Sequence, residues 1–107
     1  MEKLKNEQVV TEFLDRKEAQ SHTGALWSTG DCLFSYETII AQWQGSTLWV
    51  NVRGYSSTTR GKHQSPLKRH LDRFTVRYVN GVNLGVRDLT YYETVDLAHV
   101  SDKYWQR

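Results

Sequence analysis

Three short turns that contain glycine divide the middle of the chain, and they constrain its fold more than any other feature. The turns are Gly30-Asp31, Gln44-Gly45-Ser46 and Asn80-Gly81. Two-residue hairpin turns need positive φ angles, which glycine and asparagine adopt readily, and Asn-Gly is the strongest such signal. The chain is therefore predicted to fold around β-hairpins, in which neighbouring strands run antiparallel.

The segments that flank these turns have the composition of strands. β-branched and aromatic residues dominate them, and Leu48, Val50 and Val52 alternate strictly with the residues between them. Trp49 is out of phase with these three, so it lies either on the other face of the sheet or, as we favour, beneath the N-terminal helix. The predicted hairpins join residues 25–29 to 32–36, residues 38–43 to 47–52, and residues 75–79 to 82–86.

An amphipathic helix is predicted ahead of the hairpins, from about residue 4 to residue 20. Val10, Phe13 and Leu14 stand three and four positions apart, which is the spacing of one helix face. No glycine or proline interrupts this stretch, and Gly24 is the first residue that favours a helix stop.

A second, short helix is predicted to begin at Pro66. Ser65 can cap it, and proline suits the first helical position because its missing N–H needs no partner there. Leu67, Leu71 and Phe74 form its apolar stripe. The remaining segments are predicted as a loop at 53–64, a strand at 90–95 and a short helix at 96–105.

The predicted fold class is α+β. A single antiparallel sheet of about four to six strands would be packed by the N-terminal helix and by one or two short helices. A chain of 107 residues suffices for one domain. We place the N-terminal helix at about 4–20 and the core of sheet and helix at about 25–95, and we leave the segment 96–107 uncertain.

Composition excludes several classes of protein. The single cysteine, Cys32, rules out an intramolecular disulfide and fits a reducing compartment. No apolar run approaches the ~20 residues of a membrane helix. The first twenty residues lack the apolar middle of a signal peptide. We therefore expect a cytoplasmic protein without membrane contact, and the oligomeric state is left open.

Basic residues concentrate in the middle of the chain. Residues 38–87 carry eight bases and one acid, whereas residues 1–37 carry a net charge of −3 and residues 88–107 a net charge of −2. The net charge of the whole chain is +2, whereas that of residues 38–87 is +7. Such a distribution allows an anion to bind at the basic segment, although the chain as a whole does not attract anions strongly.

The segment 54–66 and the helix after it form the candidate binding surface. Its hydroxyls, glycines and cations make a plausible cradle for phosphate or carboxylate, although a polar loop beside a solvated helix face is the alternative. In the helix, Lys68 can pair with Asp72, whereas Arg69 and Arg73 repel each other when unpartnered. The predicted partner-binding residues are Arg60, Lys62, His63, Lys68, Arg69 and Arg73.

No catalytic site, metal site or cofactor is predicted. The histidines are scattered, one cysteine cannot complete a thiolate cluster, and the spacing of a Walker A loop is absent. His63, beside the hydroxyls of the loop, is the one credible general base. Because no carboxylate lies near it in sequence, an enzyme that acts on a phosphorylated or nucleotide substrate is the alternative to a protein without enzymatic activity.

The region from Leu33 to Leu71 resembles a group of short phage and prokaryotic proteins of unknown function. The resemblance rests on Tyr55-Ser56-Ser57-Thr58-Thr59 and on His63-Gln64-Ser65, which follow a strand. Here Arg60-Gly61-Lys62 places one extra residue between the two motifs. The resemblance implies a phage or mobile-element origin and a location in the host cytoplasm, and it implies no activity.

The function predicted from these features is that of a small non-enzymatic binding protein. Its basic loop and helix engage a polyanionic partner, which is either nucleic acid itself or a host protein or nucleoprotein of a defence system. Inhibition of a CRISPR-type system is the specific hypothesis, by analogy with other small phage proteins. A further alternative is a structural phage protein that self-associates through an edge strand at 82–86.

Overall fold

The computed structural model describes residues 3–81, 84–100 and 104–105. Its architecture is α+β, as predicted, with one mixed sheet whose seven strands lie in chain order. Helix α1 spans Asn6–Leu14 and helix α2 spans Ser65–Lys68. The strands are β1 (Lys3–Leu4), β2 (Glu18–Ser21), β3 (Leu26–Thr29), β4 (Cys32–Ser35), β5 (Thr38–Gln44), β6 (Thr47–Asn51) and β7 (Thr75–Val79).

The first two predicted hairpins are confirmed. Strands β3 and β4 pair antiparallel with Ser28 opposite Leu33, and Gly30 in their turn has a φ of 94°. Strands β5 and β6 pair antiparallel with Trp43 opposite Leu48, across a turn that contains Gly45. The local turn signal is sufficient at both places because the two strands that it joins are neighbours in the sheet.

The third predicted hairpin is wrong in its described part. Strand β7 forms, but it pairs in parallel with β6, and residues 84–86 form no strand. Residues 82 and 83 lie outside the described residues. Strand β1 also pairs in parallel with β2, so the sheet is mixed rather than antiparallel. A parallel pair needs a long crossover, and the helical residues between β6 and β7 supply it.

The N-terminal helix is shorter than the predicted span of residues 4–20. It ends at Leu14, and Arg16 turns the chain with a φ of 61°, so that β2 can begin at Glu18. A side chain in this left-handed conformation costs roughly 1–2 kcal/mol. Its guanidinium offsets that cost, because it lies 4.5 Å above the Trp43 ring and donates a hydrogen bond to the Gly45 carbonyl.

The predicted loop at residues 53–64 is helical from residue 57 onward, so Ser65 lies inside a helix rather than capping one. Ser56 supplies the cap instead, because its Oγ accepts a hydrogen bond from the Thr59 N–H at 3.2 Å. A π-helical segment, Thr59–Gln64, then leads directly into α2. Pro66 stands within the first turn of α2, as predicted.

The C-terminal predictions are also corrected. Residues 90–95 form no strand, and a 3-10 turn, Leu89–Tyr91, stands at the start of that region. The predicted helix at 96–105 is reduced in its described part to one 3-10 turn, Leu97–His99. Asp96 does cap that turn, since its Oδ1 accepts from the Ala98 N–H at 3.0 Å. Residues 101–103 lie outside the described residues.

Apolar side chains form a cluster on each face of the sheet. The larger cluster packs the apolar side of α1 against the inward residues of the central strands and includes Leu67 and Leu71. Trp49 belongs to the other cluster, with Leu84 and Leu89, so it does not lie beneath the N-terminal helix as we had favoured. Among the described residues, no helix is long and apolar enough to cross a membrane.

A segment of residues 84–89 covers the second cluster without forming a strand. The Gln42 amide replaces a strand partner, because its Oε1 accepts from the Gly85 N–H at 2.6 Å and its Nε2 donates to the Val86 carbonyl at 3.0 Å. Gln44 Oε1 likewise accepts from the Leu89 N–H at 2.8 Å. These side-chain bonds satisfy backbone groups that a hairpin ladder would otherwise have paired.

Candidate functional site

The π-helical segment Thr59–Gln64 positions the residues of the candidate site. A π-helical turn inserts extra backbone into a helix, and such turns occur frequently at functional sites. Gln64 anchors the segment to the end of β6, since its Nε2 donates to the Asn51 carbonyl at 3.2 Å and to the Arg53 carbonyl at 3.1 Å. The buried side of the segment then presents Thr59 and His63 to strand β4.

Four polar side chains form a hydroxyl relay, which consists of the exposed Ser56 and the buried Thr59, Ser35 and His63. Ser35 Oγ lies 2.6 Å from His63 Nδ1 and 2.9 Å from Thr59 Oγ1, and Ser56 Oγ donates to Thr59 Oγ1 at 3.2 Å. Ser35, Thr59 and His63 are 1%, 4% and 2% exposed. Polar groups at this depth need hydrogen-bond partners, and here they supply them to one another.

His63 also lines a cleft of about 560 Å³, which we call the His63 cleft. The cleft lies between the start of α1, the turn that follows β2 and the π-helical segment. None of the described residues that line it is acidic. Its polar lining residues are Lys5, Asn6, His22, Thr23, Tyr36, Thr58, Lys62 and His63.

Tyr36 stands at the mouth of the His63 cleft in an unusual conformation. Its φ is 55°, a value that side-chain-bearing residues rarely adopt, and its side chain is half exposed. Its ring centroid lies 5.7 Å from that of His63. Such strain persists where the surrounding structure holds it, and it occurs often at ligand sites.

The charge of the cleft comes from its lysines rather than from His63. Burial, and secondarily the neighbouring Lys62 ammonium, lower the pKa of the His63 imidazole below its ordinary value. The imidazole is therefore neutral at physiological pH. A neutral imidazole donates from one nitrogen and accepts at the other.

Comparison with known proteins places the chain in a family. A model for a family of unknown function, DUF8033, matches residues 3–93. The chain belongs to this family. No curated protein and no solved structure matches the chain. The family match contains every residue of the His63 cleft and of the hydroxyl relay, so the candidate site lies within the DUF8033 domain.

The predicted basic residues of this DUF8033 chain divide into two groups. Lys62 and His63 line the His63 cleft together, and the exposed Arg60 lies on the same π-helical segment. The other three, Lys68, Arg69 and Arg73, lie on or beyond α2 and do not line the cleft.

Two residues of the second group have partners that the sequence did not indicate. Arg69 pairs with Glu7 of α1 at 2.6 Å, so its predicted repulsion of Arg73 is reduced. Lys68 donates to the Tyr104 carbonyl and lies 4.5 Å from the Tyr104 ring centroid, and it forms no ion pair with Asp72. The basic helix face that the sequence predicts as part of the binding surface is therefore partly occupied by contacts within the protein.

Sequence reasoning missed six polar residues of the site. Ser35 lies on the same buried face of β4 as Leu33, and a hydroxyl in that position signals a buried polar contact. The other missed residues come from separate segments that only the fold brings together. They are Lys5, Asn6, His22, Thr23 and Tyr36.

The described residues contain no cluster of metal ligands. No group of three or more histidine, cysteine, aspartate or glutamate side chains is close enough to hold an ion in that part of the chain. His63 Nδ1 contacts a hydroxyl, and no carboxylate within the described residues contacts its ring. The described residues of the site supply ammonium groups, hydroxyls and imidazole rings.

Proposed function

We propose that this protein is a non-enzymatic binding protein that takes a phosphate-bearing part of a polyanionic partner into the His63 cleft. The observation that carries the proposal is a cleft lined by two lysines and two histidines, with no acid among its described lining residues. Ammonium groups that converge without a carboxylate attract phosphate, and low-dielectric walls strengthen the attraction.

The dimensions and walls of the cleft favour a nucleotide as the bound unit. Its volume of about 560 Å³ lies within the usual range for small-ligand sites, roughly 300–1,000 Å³. The Tyr36 ring at the mouth offers a surface on which a base can stack, and Lys5 and Lys62 offer charge to the adjacent phosphate. We therefore expect a single-stranded nucleic acid to bind better than a duplex.

The remaining predicted residues form a second contact region outside the cleft. Arg69 is more than half exposed in its pair with Glu7. Because exposed pairs of this kind are worth about 0–1 kcal/mol, a polyanion can replace Glu7 at little cost. Arg60 and Arg73, which are exposed, and Lys68 of α2 supply the other cations of this proposed region, along which we expect the nucleic-acid backbone to leave the cleft.

Fluorescence anisotropy with a labelled oligothymidylate tests the proposal. Lys62→Glu should raise Kd about tenfold and lower the salt slope of log K by about 0.7. Lys17→Glu is the matched control, since it makes the same change of charge at an exposed residue beside the opposite end of β2. It should leave Kd nearly unchanged.

Two results would contradict the proposal. One is the absence of salt-dependent binding to any single-stranded oligonucleotide, DNA or RNA. The other is an equal loss of affinity in Lys62→Glu and Lys17→Glu, which would show a general effect of net charge rather than a site.

The alternative of a small enzyme is favoured by one observation. Ser35 Oγ and His63 Nδ1 are 2.6 Å apart at the wall of a cleft, as a nucleophile and its base would be. Ser35 is nearly inaccessible to a substrate, however, and no carboxylate of the described residues orients the imidazole. Turnover of nitrophenyl phosphate or nitrophenyl acetate that Ser35→Ala abolishes would establish the enzyme and displace the binding proposal.

The biological partner stays a prediction drawn from the resemblance. A phage origin, a location in the host cytoplasm and inhibition of a CRISPR-type nucleoprotein are all consistent with a protein that recognises phosphates. Capture from host lysate, with and without nuclease, tests the predicted partner: loss of the partner after nuclease treatment indicates recognition through nucleic acid. Self-association through residues 82–86 is less favoured, because residues 84–86 form no strand.

A further inference from the structure

We infer that the hydroxyl relay holds His63 in the neutral form protonated at Nε2, so that His63 donates a hydrogen bond to a phosphate oxygen in the His63 cleft. The choice of phosphate rests on the proposed function, whereas the assignment of the donor rests on the geometry of the relay alone. His63 thereby becomes a residue that determines which group of the partner enters the cleft.

Ser56 sets the direction in which hydrogen bonds are donated along the relay. Its Oγ donates to Thr59 Oγ1 at 3.2 Å and accepts from the Thr59 N–H. Thr59 Oγ1 therefore already receives one proton, and its own hydroxyl proton needs an acceptor. Within the described residues that acceptor is Ser35 Oγ, at 2.9 Å.

The hydrogen bond between Ser35 and His63 takes its direction from the one between Thr59 and Ser35. When Thr59 donates to Ser35 Oγ, the Ser35 proton is free to donate to His63 Nδ1 at 2.6 Å, and each hydroxyl then both donates and accepts. Hydrogen bonds aligned head to tail in this way polarise and strengthen one another. Nδ1 is the acceptor in this arrangement, so the ring proton resides on Nε2.

The reverse arrangement leaves a buried proton without a partner. If Nδ1 carried the proton, it would donate to Ser35 Oγ, and Ser35 would then donate to Thr59 Oγ1. Thr59 Oγ1 would accept two protons in that case, one from Ser35 and one from Ser56. The Thr59 hydroxyl proton would then have no acceptor at a side chain that is 4% exposed, and an unsatisfied buried donor is destabilising. A doubly protonated ring requires the same reversal, so the relay opposes the charged form as well.

Nε2 is thus the atom of His63 that is left for a ligand. His63 lines the cleft, its ring centroid lies 5.7 Å from that of Tyr36 in the same lining, and among the described residues Nε2 has no hydrogen-bond partner. Lys62 and Lys5 line the same cleft and supply the charge that an uncharged donor lacks. A group with an exposed oxygen and negative charge satisfies both features, whereas a cation or a pure hydrogen-bond donor satisfies neither.

Nitrogen NMR of protein labelled at histidine tests the assignment directly, because two-bond couplings show which ring nitrogen carries the proton. At about pH 7 the wild type should show His63 protonated at Nε2 alone. Thr59→Val preserves the side-chain shape and breaks the relay, so it should populate both tautomers. Thr75→Val makes the same substitution at an exposed residue of β7, outside the cleft and the relay, and should keep the single tautomer. Protonation of wild-type His63 at Nδ1, or on both nitrogens, would overturn the inference.

Titration with inorganic phosphate, against sodium chloride of equal ionic strength, tests the ligand contact. The His63 Nε2–H signal should shift with phosphate and not with chloride. Shifts with phosphate but no binding of oligonucleotide would support the inference and refute the proposed function. Binding of oligonucleotide that leaves this signal unmoved would support the proposed function and overturn the inference.

Discussion

Ser35 Oγ lies 2.6 Å from His63 Nδ1, although 28 residues separate the two along the chain. The contact joins strand β4 to the π-helical segment Thr59–Gln64 and closes one wall of the His63 cleft. It combines a structural role with a functional one, since the same hydrogen bond satisfies a buried hydroxyl and orients an imidazole. Substitutions at either residue should therefore affect both stability and binding.

Loss of the Ser35 hydroxyl should destabilise the protein. In Ser35→Ala, the Thr59 hydroxyl and His63 Nδ1 both lose a buried partner, so the free energy of unfolding should fall by about 1–3 kcal/mol. Urea denaturation followed by tryptophan fluorescence measures the change. Ser57→Ala, at an exposed position, is the control and should change stability little. Equal stability of Ser35→Ala and the wild type would contradict the relay.

The left-handed conformation of Arg16 should be detectable as strain. Arg16→Gly and Arg16→Ala both remove the contact with Trp43, but a φ of 61° is strained for alanine and not for glycine. The glycine variant should therefore be the more stable of the two by about 0.5–1 kcal/mol, after allowance for the greater freedom of unfolded glycine. At Lys17, which lacks a positive φ, the order should reverse. Thermal unfolding of the four variants checks this, and the same order at both positions would refute it.

The Gln42 amide should control the segment of residues 84–89. Gln42→Leu removes the acceptor of the Gly85 N–H and the donor to the Val86 carbonyl. Stability should fall by about 1–2 kcal/mol, and the Gly85 amide should exchange faster with deuterated solvent. Gln20→Leu, at an exposed residue of β2, serves as the control. Unchanged exchange at Gly85 would show that the side chain does not hold the segment.

Acidification should destabilise the protein partly through His63. Because burial and Lys62 lower the pKa of His63 in the folded state, the unfolded chain takes up the proton first as pH falls. The contribution of His63 is complete above the ordinary histidine pKa of about 6.5 and is lost as pH falls through the folded-state value.

The variant His63→Asn isolates this contribution, since the amide retains a partner for Ser35 but does not titrate. The denaturation midpoint of the wild type should fall more between about pH 7 and pH 5 than that of the variant. Other cleft groups, Lys5, His22 and Lys62, are present in both proteins. Identical pH profiles would show that His63 has an ordinary pKa.

The successful predictions from sequence concern local features. The turns at Gly30 and Gly45 join strands that are adjacent both in sequence and in the sheet, so a few residues suffice to specify them. The apolar stripe of Leu67 and Leu71 is likewise buried as the helical spacing predicts. Such features depend on backbone geometry and periodicity, which a short window of sequence contains.

The failures concern positions where a distant group overrides the local preference. The N-terminal helix stops at Leu14 without glycine or proline because Trp43 and Gly45 hold Arg16 in its turn. The strand predicted near residue 85 is replaced by a segment whose Gly85 N–H donates a hydrogen bond to the Gln42 side chain. In both cases the deciding contact spans about thirty residues or more, a separation that no periodicity reports.

Local sequence signals are sufficient to specify the α+β class, two of the hairpins, the helical face that packs on the sheet and the basic character of the middle of the chain. The tertiary structure alone decided which cations converge and which are paired. Lys62 and Lys5 line one cleft although Lys5 precedes the first helix. Arg69 instead pairs with Glu7, and Lys68 donates a hydrogen bond to the Tyr104 carbonyl. Charge is a property of residues, but a binding site depends on distances between them. Those distances were set by the burial of apolar faces and by long-range hydrogen bonds such as that between Ser35 and His63.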